Sequence, residues 1–147
     1  MTTTASDPRA VAAAQLEAFN DEDWDRFAEL SHPGIVYTEA GTGRRIEGIE
    51  PYLEALREWK VALPDVRGDI RRALAEGGTV AEDVIWRGTQ DGPLGTSGRD
   101  IAPTGRRIEV TATLWVTVRD GRVADVEHHL DVLTLLAQIG VLGDGEA

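Results

Sequence analysis

In the stretch "VEHHLDVLTLLAQIG", His128, His129 and Asp131 stand directly before a run of leucines. An aspartate carried into an apolar hollow becomes a proton-handling group near neutral pH, because desolvation disfavours its ionised form and can raise a carboxyl pKa by up to ~3–5 units. Such a carboxyl serves first as general base and then as general acid. His129, two residues away, could hydrogen-bond the group being protonated or tune the acid. The same Asp131 also precedes a helix whose first turn begins at Val132, where aspartate commonly caps free backbone N–H groups. On spacing alone both readings stand.

The choice depends on the strand that carries these residues. "RRIEVTATLWVTVRDGRVADVEHHLD" reads as a hairpin about Asp120 and Gly121. A two-residue loop pairs Arg119 with Arg122, and counting outward sets Asp131 opposite Val110, His129 opposite Ala112 and Glu127 opposite Leu114. Alternation then places Val110, Ala112, Leu114, Val116, Val118 and Val123 on one face with Asp131, His129 and Glu127. Thr111, Thr113, Trp115, Thr117, Val126, His128 and Leu130 share the other. The expectation is that Asp131 and His129 project into the apolar side. The face carrying Trp115 is a candidate dimer surface.

Several chemistries are excluded by composition. The chain has no cysteine, so disulfides, thiolate nucleophiles and zinc–thiolate sites drop out. Adjacent strand histidines face opposite ways and His32, in a "SHPG" helix exit, is the only other, so no histidine metal site is expected. No serine lies within G-x-S-x-G. A formal net charge of −11 repels phosphate backbones and anionic lipid, which argues against nucleic-acid and membrane partners. "MTTTASDP" lacks a basic region followed by an apolar run, and no stretch of about 18 apolar residues occurs, so a cytoplasmic location is expected.

A chain of 147 residues suits a single domain over 1–147, with residues 1–5 frayed. "SDPRAVAAAQLEAF" has Ser6 or Asp7 as cap and Pro8 in the first turn of a helix running to about Phe19. "NDEDWDRFAELSHPG" carries Trp24, Phe27 and Leu30 at helical spacing and ends on Pro33 and Gly34. A short strand and turn follow in "IVYTEAGTGRRIEG". "IEPYLEALREWKVAL" then reads as a third helix with Ile49, Leu53, Leu56 and Leu63 in one stripe. Extended segments from about Val66 to Ala75 and Thr79 to Gln90 form a hairpin around "EGG". "DGPLGTSGRDIAPTG" has too many glycines and prolines for regular structure and reads as a lid or binding loop. "VLTLLAQIG" closes as a short helix ended by Gly140. Helices first and a curved antiparallel sheet afterwards indicate an α+β domain with helices over one sheet face.

The order of elements, with "WRGTQDGPLG", "APTGRRIEV", "VRDGRVADVEHHLD" and "LLAQIG", resembles the SnoaL-like polyketide cyclases of the nuclear transport factor 2-like superfamily. That resemblance covers nearly the whole chain. It implies a cone-shaped curved sheet whose N-terminal helices close an apolar pocket, usually in a homodimer. It also implies cofactor- and metal-independent intramolecular aldol cyclisation of a polyketide-like, apolar or polycyclic substrate. Asp131 matches the family's acid–base aspartate, with His129 beside it. Tyr37, Trp59 and Trp86 are candidates for the pocket wall, each also readable as ordinary core. Glu39 shares a strand face with Tyr37 and could supply a second carboxylate, though an exposed strand end explains it equally well. Many relatives have histidine where this chain has Gln90, and glutamine can hold a carbonyl oxygen but shuttles no proton at neutral pH. Two alternatives follow: a non-catalytic binder of small apolar molecules, and an epoxide hydrolase of the same superfamily. The latter requires an Arg-x-Asp pair that "RRIEVTATLWVTV" lacks.

Overall fold

The computed structural model describes residues 7–96 and 99–142. Asp7 accepts the Arg9 N–H at 3.2 Å and Pro8 occupies the first turn, so helix α1 runs Pro8–Asn20. The Ser6 alternative and the expected fraying of residues 1–5 lie outside the described residues. Asp23 caps α2 (Trp24–Glu29) in the same manner, through the Arg26 N–H at 3.1 Å. The strands β1 (Ser31–Glu39) and β2 (Arg44–Glu47) form a hairpin before α3 (Ile49–Ala62). Pro33 and Gly34 therefore lie within β1 instead of terminating a helix; β1 is irregular there, its register shifting between Ser31 and Val36.

Strands β3 (Arg67–Glu76) and β4 (Thr79–Thr89) make the second hairpin, and β7 (Arg107–Arg119) and β8 (Arg122–Leu130) the third. Between them the expected structureless loop contains a small ladder, β5 (Leu94–Thr96) on β6 (Arg99–Ile101). Helix α4 (Val132–Gln138) closes the fold. The main sheet has the order β2-β1-β8-β7-β4-β3. Its one parallel pair is β1 with β8. The chain leaves α2 beside the β7–β8 turn: Val123 N–H donates to Leu30 O at 2.8 Å and His32 Nε2 donates to Arg119 O at 2.9 Å. Starting there, β1 can only run alongside β8 in the same direction.

Asp120 and Gly121 take positive φ (54° and 77°), as a two-residue hairpin turn requires. Arg119 pairs with Arg122 and Val118 with Val123, as counting predicts. The next pair is Thr117 with Asp125, so Ala124 is an extra residue and every later position is shifted by one. Val126, His128 and Leu130 consequently point into the core, and Glu127 and His129 point out. This corrects the sequence reading for the whole outer half of β8. The physical reason is burial: the counted register would bury Glu127 and Asp131 without partners, each at a cost of several kcal/mol. The bulged one instead buries Val126 and Leu130, each contributing roughly 1.5–3 kcal/mol. Further register shifts in β1–β8 and β3–β4 bend the sheet in the same way. Helices α1, α2, α3 and α4 cover its concave face, with Phe19, Phe27, Leu53 and Leu135 packed into the core. Trp115 stays 46 % exposed on the opposite face.

Candidate active site

The pairing register sets one row of side chains across the concave face. Glu39 on β1 pairs with His128 on β8, His128 with Leu114 on β7, and Leu114 with Glu82 on β4. Strand spacing places the backbones of His128 and Glu82 roughly 10 Å apart, on either side of Leu114. All four residues are buried. Two rows further along, Trp86 on β4 pairs with Gly68 on β3. A Cβ at position 68 would lie 2.6 Å from the indole Cζ3, so only glycine lets the ring lie against β3. From there Trp86 Nε1–H reaches His128 Nε2 at 3.2 Å. Phe19 steadies the indole edge-on, with ring centroids 5.6 Å apart.

The other face of the imidazole meets Tyr37. His128 Nδ1 is 2.8 Å from Tyr37 Oη, and Tyr37 O–H donates to Glu39 Oε2 at 2.5 Å. Thr42 donates to the second Glu39 oxygen at 2.7 Å. Although Nδ1 also lies 3.9 Å from Glu39 Oε2, this is not an ion pair at neutral pH. Burial pushes the imidazole down to about 4, against a smaller upward pull from Glu39. Burial, the nearby Glu39 carboxylate and its hydrogen bond together push the Tyr37 hydroxyl up, so it remains a phenol.

Glu82 is in a different condition. It is 1 % exposed and its Oε2 has no hydrogen-bond partner among the described residues. Desolvation pushes its carboxyl up to about 7. A carboxyl that changes charge near neutrality is suited to take and return a proton. It lines a cavity of about 80 Å³ together with Gln15, Tyr37, Trp86 and His128, the rest of the wall being almost wholly apolar. A second, open hollow of about 790 Å³ lies between α3, α4 and the β1–β2 turn and is bordered by Glu39, Thr42 and Arg44. Trp59, Leu130 and Leu135 belong to both walls.

Of the residues expected from the sequence, Tyr37, Trp59 and Trp86 line the inner cavity. Gln90 does not. Fully buried, it donates through Nε2 to Gly92 O, Ile101 O and Ala102 O at 3.0, 3.3 and 3.1 Å and accepts from Thr104 N and Oγ1 at 3.1 and 2.7 Å. Its amide pins the β4–β7 connection. Asp131 is exposed at the start of α4, accepting from Thr134 N at 3.1 Å and Thr134 Oγ1 at 2.7 Å. Those bonds hold its carboxyl below the usual aspartate range. His129 is on the outer face, 2.7 Å from Glu127 Oε2. The helix-cap alternative for Asp131 is the one its geometry shows, and the expected placement of Asp131 and His129 inside the hollow is corrected.

The groups inside the hollow are instead Glu82 and His128. Glu82 carried a legible signal, since Val80, Glu82, Val84 and Trp86 alternate on one face of β4. His128 had none beyond its neighbour's, because the bulge decides which of the two turns inward. No arginine lines the inner cavity among the described residues, so the aspartate–arginine–aspartate arrangement of an epoxide hydrolase has no counterpart there. Nor do three or more His, Asp or Glu side chains cluster as metal ligands among them, and none of their helices is long and apolar enough to cross a membrane.

A curved sheet closed by helices is the architecture of the nuclear transport factor 2-like fold, and solved structures share that fold. The profile of the SnoaL-like polyketide cyclases matches residues 9–139, and the chain belongs to that family. Among solved structures, one from Jannaschia sp. CCS1 assigned to the SnoaL-like polyketide cyclases superposes with a TM-score of 0.80 at 22 % identity, over 90 % of each chain. IdmH from Streptomyces antibioticus, assigned as a polyketide cyclase, is 30 % identical over 92 % of this chain and 99 % of its own, with a TM-score of 0.78. A protein of Kribbella flavida assigned as a ketosteroid isomerase gives 0.65 at 24 % identity, over 84 % and 76 %. No protein among curated sequences matches. The family and the likeness to IdmH support a cyclase-type role.

Proposed function

We propose that the inner cavity is the site of a cofactor-independent cyclase that enolises a polyketide-like carbonyl compound and closes a ring by intramolecular aldol attack. Glu82 removes a proton from the carbon beside a carbonyl and later returns one. The Trp86 indole N–H, which bonds His128 Nε2 at 3.2 Å, turns from that nitrogen to donate to the substrate oxygen on which negative charge develops. The apolar walls fold the substrate so that its enol and second carbonyl meet, and orientation of this kind can contribute ~7–11 kcal/mol. The inner cavity accommodates the reacting carbons, with the remainder of the molecule in the outer hollow past Trp59.

The observation that carries this reading is Glu82, a carboxyl buried in the cavity and poised near neutrality, whose Oε2 has no hydrogen-bond partner among the described residues. The test is turnover of a cyclisable polyketone by Glu82→Gln, which preserves size and removes the base. A loss of about 10²–10⁴-fold is expected, the range for a positioned acid–base group. Undiminished turnover in a folded Glu82→Gln protein would falsify the mechanism and leave a binder of small apolar ligands, for which the largely apolar wall is suited.

A further inference from the structure

The hydrogen-bond partners of His128 permit one protonation pattern. An indole only donates, so Nε2, 3.2 Å from Trp86 Nε1, carries its lone pair. The proton is then on Nδ1 and donates to Tyr37 Oη at 2.8 Å, while Tyr37 donates to Glu39 Oε2 at 2.5 Å. Every bond points toward the Glu39 carboxylate, whose other oxygen is held by Thr42. The chain begins at the inner cavity, lined by Trp86 and His128, and ends at the outer hollow, bordered by Glu39 and Thr42.

We propose that Glu39, acting through Tyr37, holds His128 with its Nε2 lone pair toward the cavity, so that Trp86 and His128 together form a subsite for the enol hydroxyl of a 1,3-dicarbonyl substrate. The proposal rests on the reading of the cavity as a site for enolisable carbonyl compounds. The indole N–H and the Nε2 lone pair, bonded to each other at 3.2 Å, are the donor and acceptor that a ligand would separate. A hydroxyl satisfies both, its oxygen accepting from the indole N–H and its proton donated to Nε2 as the indole withdraws. A simple ketone accepts from Trp86 and leaves Nε2 bare. If the enol releases its proton to Nε2, the Nδ1 proton passes to Tyr37 and the Tyr37 proton to Glu39 Oε2. The products are an enolate in the cavity, a neutral imidazole protonated on Nε2 and a neutral Glu39 carboxyl beside the outer hollow. No proton is gained or lost overall. Tyr37 and Glu39 are thus positioning residues acting through His128.

Nitrogen-15 NMR of histidine-labelled, substrate-free protein reads the tautomer directly. The wild type should show His128 protonated on Nδ1 only. Tyr37→Phe, which removes the acceptor and keeps the ring, and Glu39→Gln, which removes the anion, should each shift population toward the Nε2–H form. As probes, pentane-2,4-dione should bind about tenfold more tightly than pentan-2-one, the equivalent of one hydrogen bond. That preference should disappear in Tyr37→Phe. An Nε2–H tautomer in the wild type, a tautomer unmoved in both variants, or no preference for the diketone, absence of binding included, overturns the proposal. The tautomer is read without turnover, so it can fail while Glu82 retains its role, and the reverse.

Discussion

Glu82 and His128 face one cavity from opposite sides of Leu114, and burial drives both toward their neutral forms. For an acid and a base this has opposite consequences with pH. The carboxyl of Glu82 is raised from 4.5 to about 7, so between those values the native state holds a proton the unfolded chain has released. Its contribution to stability is complete below 4.5 and is lost as pH rises through about 7, a swing of about 3 kcal/mol. His128 is lowered from 6.5 to about 4, so its contribution is complete above 6.5 and is lost as pH falls through about 4. Between 4.5 and 6.5 the two slopes oppose each other. Relative to wild type, Glu82→Gln should therefore gain stability as pH rises through this window, and His128→Gln should lose it. Denaturant midpoints measured across the range check both signs; parallel curves for all three proteins would contradict the assigned burial.

Asp131→Ala should remove one helix cap and slightly lower the thermal midpoint, while turnover stays at the wild-type level. The carboxylate is exposed, and it accepts from the Thr134 N–H and hydroxyl. Turnover and melting measured on the same preparation separate the two effects. Loss of activity with an unchanged midpoint would return Asp131 to the chemistry.

Gly68→Ala introduces a methyl group 2.6 Å from the Trp86 ring. The indole must tilt, at a cost of about 1–3 kcal/mol for an overpacked position. Because Trp86 Nε1–H is bonded to His128 Nε2, the change should also appear as a displaced indole N–H resonance. An unmoved resonance would show that the ring is not seated by Gly68.

Gln90→Glu tests the assignment of Gln90 to the β4–β7 connection. The amide nitrogen donates to three carbonyl oxygens, which a carboxylate would instead confront without a proton. A loss of at least ~3 kcal/mol at neutral pH is expected, larger than for the apolar Gln90→Met. Equal losses in urea denaturation would imply that the hydrogen bonds contribute little.

Much of this fold is written locally. Asp7 with Pro8, and Asp23 before Trp24, mark helix starts that depend on nearest neighbours. The alternation from Thr79 to Thr89 marks β4 and, with it, Glu82 as an acid on an apolar face. The ladder between Leu94 and Ile101 was hidden because glycine and proline conceal strand character that pairing alone reveals. The function of Gln90 was hidden for a related reason, as its partners lie up to fourteen residues away.

The amino-acid order by itself determined the helices, the hairpins, the turn at Asp120 and Gly121, and membership of the family. It also excluded thiolate and zinc–thiolate chemistry, since cysteine is absent. Only the tertiary structure decided that His128 and not His129 turns inward and that Asp131 stays at the surface. A tight turn constrains the pairs next to it and no further. Beyond Val118 and Val123 the register is set by which side chains the whole sheet and its helices can bury, and one extra residue at Ala124 exchanges the faces of every residue that follows.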